Sequence, residues 1–296
     1  MALQLLVAVA IVLSLAFAMR SEWGKLPAIQ WRLRPGWLVL SLLALIAFEA
    51  LHIELWRGML RNMGGRLPRW KGRSIWATTL LARYVPTSVL MAVGRVALAE
   101  KEGVPRRMGL ASVVYEVALT FTASVAISTY LVLTLPAFEH HASRWIVIAI
   151  PLAGLLALHP RIFGGVANTI LRRIGSETLP LALPFGTVLR FFVLFVGSFL
   201  VAGFGVLAMT HALAPVRGGG EAALVAAYSL GFAAGVIGFV LPGALGAREA
   251  GVAIAVATVV ASPVALAVAL VLRFVQIGVE LLYAAVMPVI ARRTGA

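Results

Sequence analysis

The chain has 296 residues, of which 61% are hydrophobic and only 12% charged, and its mean hydropathy is +1.00. A soluble protein carries about 25% charged residues, so the composition excludes an ordinary soluble protein and predicts one membrane domain over 1–296. The net charge of +14 does not predict nucleic-acid binding, because the basic residues cluster in short segments beside apolar runs, which is typical of cytoplasmic loops. The chain has no cysteine, which excludes disulfides and thiolate chemistry.

The first part of the chain predicts two spans separated by a short loop. Apolar runs cover about 1–19 and 37–56, each long enough to cross a bilayer as a helix. Residues 57–73 are the most basic segment, so we expect a cytoplasmic loop there and a cytoplasmic N-terminus.

Residues 74–100 fit either a full crossing or a re-entrant hairpin. Pro86 interrupts an apolar run, and Gly94-Arg95 interrupts the run that follows. A hairpin keeps the basic residues of 101–107 in the cytoplasm, so the positive-inside rule favours it.

The later segments continue the alternation of apolar helices and polar connections. The prediction in chain order is a helix over 108–135, a span over 145–159, a basic loop containing Arg161, Arg172 and Arg173, helices over 185–213 and 221–241, a broken segment over 243–262, and a last helix over 264–290. The fold class is therefore an all-α polytopic integral membrane protein with about seven spanning helices and one or two proline-broken re-entrant segments.

Two blocks of the chain, about 74–135 and 221–290, share one pattern. Each has an apolar approach, a proline, a small-residue run ending in arginine, a second proline and a long helix with buried charge. The residues predicted to break helices are Pro86, Pro105, Pro242, Gly243, Gly246 and Pro263. Corresponding breaks in two halves predict an internal repeat with a transport site.

Charged residues inside apolar helices supply the candidate site, because each costs about 2.5–3.5 kcal/mol at the helix centre. The predicted substrate-binding residues are Arg83, Arg95, Glu116, Arg248, Glu249, Arg273 and Glu280. Arg273, Gln276 and Glu280 share one helical stripe, and a guanidinium fork suits a phosphate. The alternative for any one of these residues is a buried ion pair that joins two helices.

The two blocks resemble the lysylphosphatidylglycerol synthase transmembrane region, a flippase-like domain family. The matching stretches are RYVPTSVLMAVGRVALAEKEGVPRRMGLASVVYEVAL and GFVLPGALGAREAGVAIAVATVVASPVALAVALVLRFVQIGVELL. The resemblance covers essentially the whole chain, and Pro86, Arg95, Glu116, Pro242, Gly243, Gly246, Arg248, Glu249, Arg273 and Glu280 fall on its motif positions. It implies movement of an aminoacylated or other anionic phospholipid, or of a polyprenyl-phosphate-linked lipid, between leaflets. Because the family's synthase activity resides in a separate soluble domain, we expect that activity to be absent here.

The leading hypothesis is a multi-pass plasma-membrane flippase or scramblase that is not an enzyme. The alternatives are an integral-membrane glycosyl- or aminoacyl-lipid transferase, with Glu116 or Glu249 as its base, and a partner subunit of a lipid-modifying enzyme. We expect no cofactor, no metal and no nucleic-acid partner. The expected partner is a phospholipid or polyprenyl-phosphate lipid, and a lipid-modifying enzyme or a second copy of the chain are further candidates.

Overall fold

The computed structural model of the chain describes residues 33–84, 89–134, 143–173, 178, 183–216, 218–240 and 246–294. Across these ranges the regular structure is helical, with ten α-helices and one 3₁₀ turn. The helices are α1 (Pro35–Asn62), α2 (Arg69–Leu80), α3 (Val89–Lys101), α4 (Arg106–Thr134), α5 (Ser143–Ala157), α6 (Pro160–Arg173), α7 (Phe185–Leu213), α8 (Glu221–Val240), α9 (Ala247–Val256) and α10 (Ser262–Arg293), and the 3₁₀ turn Leu81–Tyr84 follows α2. The prediction of an all-α fold is confirmed.

Five of the described helices, α1, α4, α7, α8 and α10, are long and apolar enough to cross a membrane. The pair α5 and α6, bent by 67°, makes a sixth crossing if it is counted as one span. The chain is therefore a multi-pass membrane protein. The span predicted over 1–19 lies outside the described residues.

The helices extend into two segments that sequence reasoning assigned to loops. Most of the basic segment 57–73 is helical, because α1 continues to Asn62 and α2 begins at Arg69. The predicted basic loop after residue 160 is also wrong, since Pro160–Arg173 forms α6. Basic residues in a helix's last turn interact favourably with its dipole, so charge alone did not mark the helix ends.

The described chain forms two compact units. Unit 1 comprises the described residues within Met1–Phe48, Ala123–Ile150 and Val196–Val279, and unit 2 comprises those within Glu49–Thr122, Pro151–Phe195 and Glu280–Ala296. The two predicted blocks contribute a helical hairpin to each: α8 and α9 lie in unit 1, and α2 and α3 lie in unit 2.

In unit 1, α9 packs antiparallel against α8 at glycine contacts. A Cβ atom at Gly231 would lie 2.5 Å from Cγ2 of Val252 and 2.8 Å from the Arg248 carbonyl oxygen, and one at Gly235 would lie 3.1 Å from Cβ of Arg248. The helices approach this closely because Gly231 and Gly235 have no side chains, so the GxxxG pattern at 231–235 is a packing motif within the chain.

In unit 2, α2 and α3 form the corresponding antiparallel hairpin. Lys71 Nζ lies 3.0 Å from Glu102 Oε1 at its polar end, while Thr79 and Arg95 meet nearer the predicted break. Helices of 12 and 13 residues rise only about 18–20 Å, which is shorter than the roughly 30 Å hydrocarbon layer. Each of the two helices is therefore too short to cross the layer by itself.

Glu54 connects α1 to α2 near the polar end of that hairpin. It accepts hydrogen bonds from Arg57 at 2.5 Å and from Arg73 at 2.6 Å. The Arg73 guanidinium carbon also lies 4.5 Å from the centre of the Trp70 ring. Part of the basic segment is thus held in place by one carboxylate.

Candidate functional site

The two hairpins each place an arginine against an aromatic ring and a polar residue of the long helix that follows. In unit 2 the arginine is Arg95 of α3, and in unit 1 it is Arg248 of α9. We call the first group, Trp56, Trp76, Thr79, Arg95 and Glu116, the buried cluster. We call the second group, Tyr228, Arg248, Glu249, Arg273 and Gln276, the arginine cleft.

In the buried cluster, Arg95 and Glu116 form an ion pair through Nη1 and Oε2. The other carboxylate oxygen of Glu116 accepts a hydrogen bond from Trp76 Nε1 at 3.1 Å. The Nε of Arg95 lies 3.4 Å from the Thr79 hydroxyl oxygen. Charge-assisted hydrogen bonds such as the one between Arg95 and Glu116 are among the strongest in proteins, and both oxygens of Glu116 are engaged.

Two tryptophan rings enclose the Arg95 guanidinium. Its carbon lies 5.3 Å from the ring centre of Trp56 and 5.2 Å from that of Trp76, and only 1% of the residue is exposed. The indole of Trp56 donates in turn to Ser112 of α4 at 3.1 Å. A cation between aromatic faces and beside a carboxylate is well stabilised, so these contacts join α1, α2, α3 and α4 within unit 2.

In the arginine cleft, Arg248 bonds to two neutral oxygens. Its Nη2 donates to the Tyr228 hydroxyl at 2.8 Å and to Gln276 Oε1 at 2.6 Å. The Tyr228 ring lies 5.1 Å from the guanidinium carbon. Phe48 and Phe199 pack around that ring at centroid distances of 5.0 and 6.2 Å. The aromatic core of unit 1 thus holds Tyr228 in place, and Tyr228 in turn positions Arg248.

Arg273 and Glu249 complete the cleft as a partly exposed ion pair. Arg273 Nε lies 3.4 Å from Glu249 Oε1, and the two side chains are 18% and 17% exposed. Around them is a small, partly open cleft, lined also by Val252, Ala269 and Leu272, with room for about one water molecule. Two arginines and one glutamate line this space, so its lining carries one excess positive charge and suits an anion.

The cleft lies deep along the hairpin of unit 1. Gly220, just before α8, approaches Val259, whereas Gly235 approaches Arg248. The helical rise over those residues is about 22 Å. If α8 crosses a hydrocarbon layer of about 30 Å, Arg248 lies inside the layer, about 8 Å from its far boundary.

Glycine also shapes the beginning of α9. Gly246 precedes the helix with a φ of +91°, a left-handed conformation that costs glycine little. Arg248 and Glu249 therefore lie in the first turn of α9, where the helix dipole is positive. That dipole stabilises Glu249 and strengthens the attraction for an anion.

The remaining predicted residues lie elsewhere or outside the described residues. Outside the described residues are Pro86, Pro242 and Gly243. Only the backbone of Arg83 is described, and it lies in the 3₁₀ turn. Glu280 is fully buried in unit 2 and does not line the cleft. Pro105 directly precedes α4, and Pro263 lies in the first turn of α10, where proline fits a helix start.

Sequence reasoning missed the aromatic and amide partners of the arginines. Tyr228 and Trp76 were not among the predicted site residues, and Gln276 was noted only as part of a stripe. A usable signal for Gln276 was its spacing of three residues from Arg273. For Tyr228 and Trp76 the signal was weaker, because tyrosine and tryptophan in apolar helices are also common interface anchors.

The chain belongs to the family described as the lysylphosphatidylglycerol synthase TM region, whose family model matches residues 1–283. No curated protein sequence matches the chain. The family match agrees with the membrane-spanning helices and with a role that involves membrane lipids.

Proposed function

We propose that this member of the lysylphosphatidylglycerol synthase TM-region family moves a lipid with an anionic head group between the leaflets of the plasma membrane. The lipid is an anionic or aminoacylated phospholipid or a polyprenyl-phosphate-linked lipid, and the protein acts as a flippase or scramblase. We base the proposal on the arginine cleft, where two guanidinium groups border the same small, partly open space on a membrane hairpin.

A phosphate can bind in the cleft once the side chains that line it move apart, because the space between them holds about one water molecule. Arg248 is held by the neutral oxygens of Tyr228 and Gln276, and the planar fork of a guanidinium matches the geometry of phosphate oxygens. The contact between Arg273 and Glu249 is long, at 3.4 Å. An entering phosphate competes with Glu249 for Arg273, so we expect head-group binding to separate that pair.

The hairpins supply the irregular backbone that such a site needs. A helix break at membrane depth is tolerated where protein or a water-filled cavity surrounds it, and α9 is too short to cross by itself. We place the α2–α3 hairpin as a re-entrant element that opens to the cytoplasm, with a cytoplasmic N-terminus. The support is the pairing of Lys71 with Glu102 at one end and the basic residues beside it.

The contacts of Glu116 count against a transferase that uses this residue as its base. Glu116 uses one oxygen for Arg95 and the other for Trp76, and Glu249 lies against Arg273. A general base needs a free lone pair directed at the proton that it removes. Glu116, with both oxygens engaged, is therefore the less suited of the two to that role.

Reconstitution into liposomes tests the proposal. Fluorescent phospholipids that differ only in head group, one anionic and one zwitterionic, are placed in both leaflets. A reductant that cannot cross the membrane then bleaches the fluorophores of the outer leaflet. We expect the protein to expose the anionic lipid to the reductant faster than protein-free liposomes do. Mass spectrometry of the lipids provides the second readout. Unchanged lipid with accelerated exchange supports transport, whereas a new glycosyl- or aminoacyl-lipid without exchange supports the transferase.

A further inference from the structure

Helix α6, Pro160–Arg173, is the most strongly amphipathic of the described helices. Phe163 and Val166 lie at i and i+3 on one face. Arg161 and Arg172 lie on the opposite face, and Arg173, seven residues after Val166, lies at the helix end on the apolar side. The segment has three arginines and no acidic residue. An apolar face opposite a polar face whose charged residues are arginines is the pattern of helices that lie in the membrane–water interface.

The direction of α6 agrees with that pattern. The chain bends by 67° between Ile148–Ala157 and Pro160–Thr169. If the preceding segment follows the membrane normal, this bend leaves α6 about 23° out of the membrane plane. A helix that continued straight through the hydrocarbon would instead take Arg161 into it, which is costly.

The apolar face of α6 is only partly covered by protein. Phe163 is buried, and its ring lies 4.0 Å from that of Tyr115. Ile162 and Val166 at the neighbouring edge are 49% and 57% exposed. The ring contact anchors α6 to α4, while its exposed edge presents aliphatic side chains beside arginines.

We propose that α6 lies in the cytoplasmic interface of the membrane and binds the head groups of anionic phospholipids through Arg161, Arg172 and Arg173. Its exposed aliphatic edge enters the acyl-chain boundary, and the arginines lie at the level of the lipid phosphates. Charge complementarity selects this occupant, because the cytoplasmic leaflet is rich in anionic lipid. This surface is separate from the arginine cleft, and the inference does not depend on lipid transport.

Single-cysteine spin labelling tests the placement, since the chain has no native cysteine to remove. Labels are placed in the reconstituted full chain by Ile162→Cys and Val166→Cys on the apolar side and by Gly165→Cys and Asn168→Cys on the polar side. We expect the first two to collide mainly with oxygen and the last two with a water-soluble nickel complex. A depth that changes steadily from 162 to 168 regardless of face would show a continuing span, and nickel access at all four positions would show that α6 leaves the membrane. Either result overturns the proposal.

A quenching experiment tests the head-group preference. A fluorophore at Val166→Cys is reconstituted with brominated phosphatidylglycerol or brominated phosphatidylcholine in otherwise identical vesicles. We expect stronger quenching by the anionic lipid, and equal quenching by both lipids after Arg161→Gln, Arg172→Gln and Arg173→Gln are combined. Equal quenching in the variant that keeps its arginines would contradict the head-group assignment.

Discussion

Arg95 and Arg248 both lie on the second helix of their hairpins, but their surroundings give them different roles. Arg95 is 1% exposed and lies between two tryptophans beside Glu116. Arg248 lies at an open cleft and bonds to a phenol and an amide. A fully enclosed arginine serves the stability of its unit, whereas one at an open cleft can take a ligand.

Removing the charge of Glu116 should destabilise the protein strongly. Glu116→Gln leaves the buried Arg95 guanidinium without its carboxylate, and breaking one partner of a buried pair costs about 3–5 kcal/mol. We expect a marked fall in the melting temperature in detergent. Glu102→Gln is the matched control, because its ion pair with Lys71 is about one-third exposed and such pairs contribute about 0–1 kcal/mol.

A second variant separates charge balance from packing in the same cluster. The combined Arg95→Met and Glu116→Leu removes both charges and keeps most of the volume, which is often neutral for a buried pair. We expect it to melt well above Glu116→Gln. If Glu116→Gln melts no lower than Glu102→Gln, the assignment of Glu116 as the balancing charge is wrong.

The sequence identified the charged residues of both clusters, but it did not identify which of them meet. Trp76 and Glu116 are 40 residues apart, and Trp56 and Ser112 are 56 apart. Helical periodicity places residues on a face of their own helix, whereas such contacts depend on how separate helices pack. Glu280 shows the limit: it shares a stripe with Arg273, yet it is buried in the other unit and does not line the cleft.

At the scale of elements, the close contact between helices α8 and α9 holds Arg248 in place. Gly231→Ala would put a Cβ atom 2.8 Å from the Arg248 carbonyl oxygen, which is backbone and cannot rotate away. Overpacking of this kind costs about 1–3 kcal/mol, so we expect lower thermal stability together with slower transport. Gly278→Ala in α10 is the control, because a Cβ atom there has open space within 4 Å. Equal melting temperatures for the two variants would count against a tight α8–α9 contact.

The α2–α3 hairpin makes a prediction about sidedness. Because Lys71 and Glu102 pair at one end, Lys71→Cys and Glu102→Cys should both react with a membrane-impermeant maleimide from the same side. Labelling in sealed vesicles of known orientation measures this, with cytoplasmic access expected for both. Reaction from opposite sides would show that 71–102 crosses the membrane completely.

At the level of elements, apolar run length was a good guide and local charge was a poor one. The helix predicted over 185–213 matches α7, and that over 264–290 matches α10 within a few residues. Basic residues suggested loops at 57–73 and after 160, where the structure has helix ends and all of α6. Arginine is a good helix former, so a run of positive charge reports membrane sidedness rather than helix termination.

For the whole molecule, composition predicted a polytopic helical membrane protein, and the family match confirms the membrane class. The division into two compact units could not be read from the sequence, because it falls inside long helices: residues 48 and 49 of α1 belong to different units. Each unit contains the hairpin of one of the two blocks, with its arginine.

The proposed function requires the arginine cleft to bind the anionic head group of a transported lipid. The most direct test compares head-group-dependent lipid exchange in proteoliposomes containing Arg248→Ala, Arg273→Ala or the control Arg190→Ala, an exposed arginine of α7 outside the cleft. All three variants remove one charge from a membrane helix, so insertion should not suffer. We expect the two cleft variants to insert and fold but no longer to accelerate exchange of the anionic lipid. We expect Arg190→Ala to exchange it at the wild-type rate. Wild-type exchange in both cleft variants would contradict the proposed function.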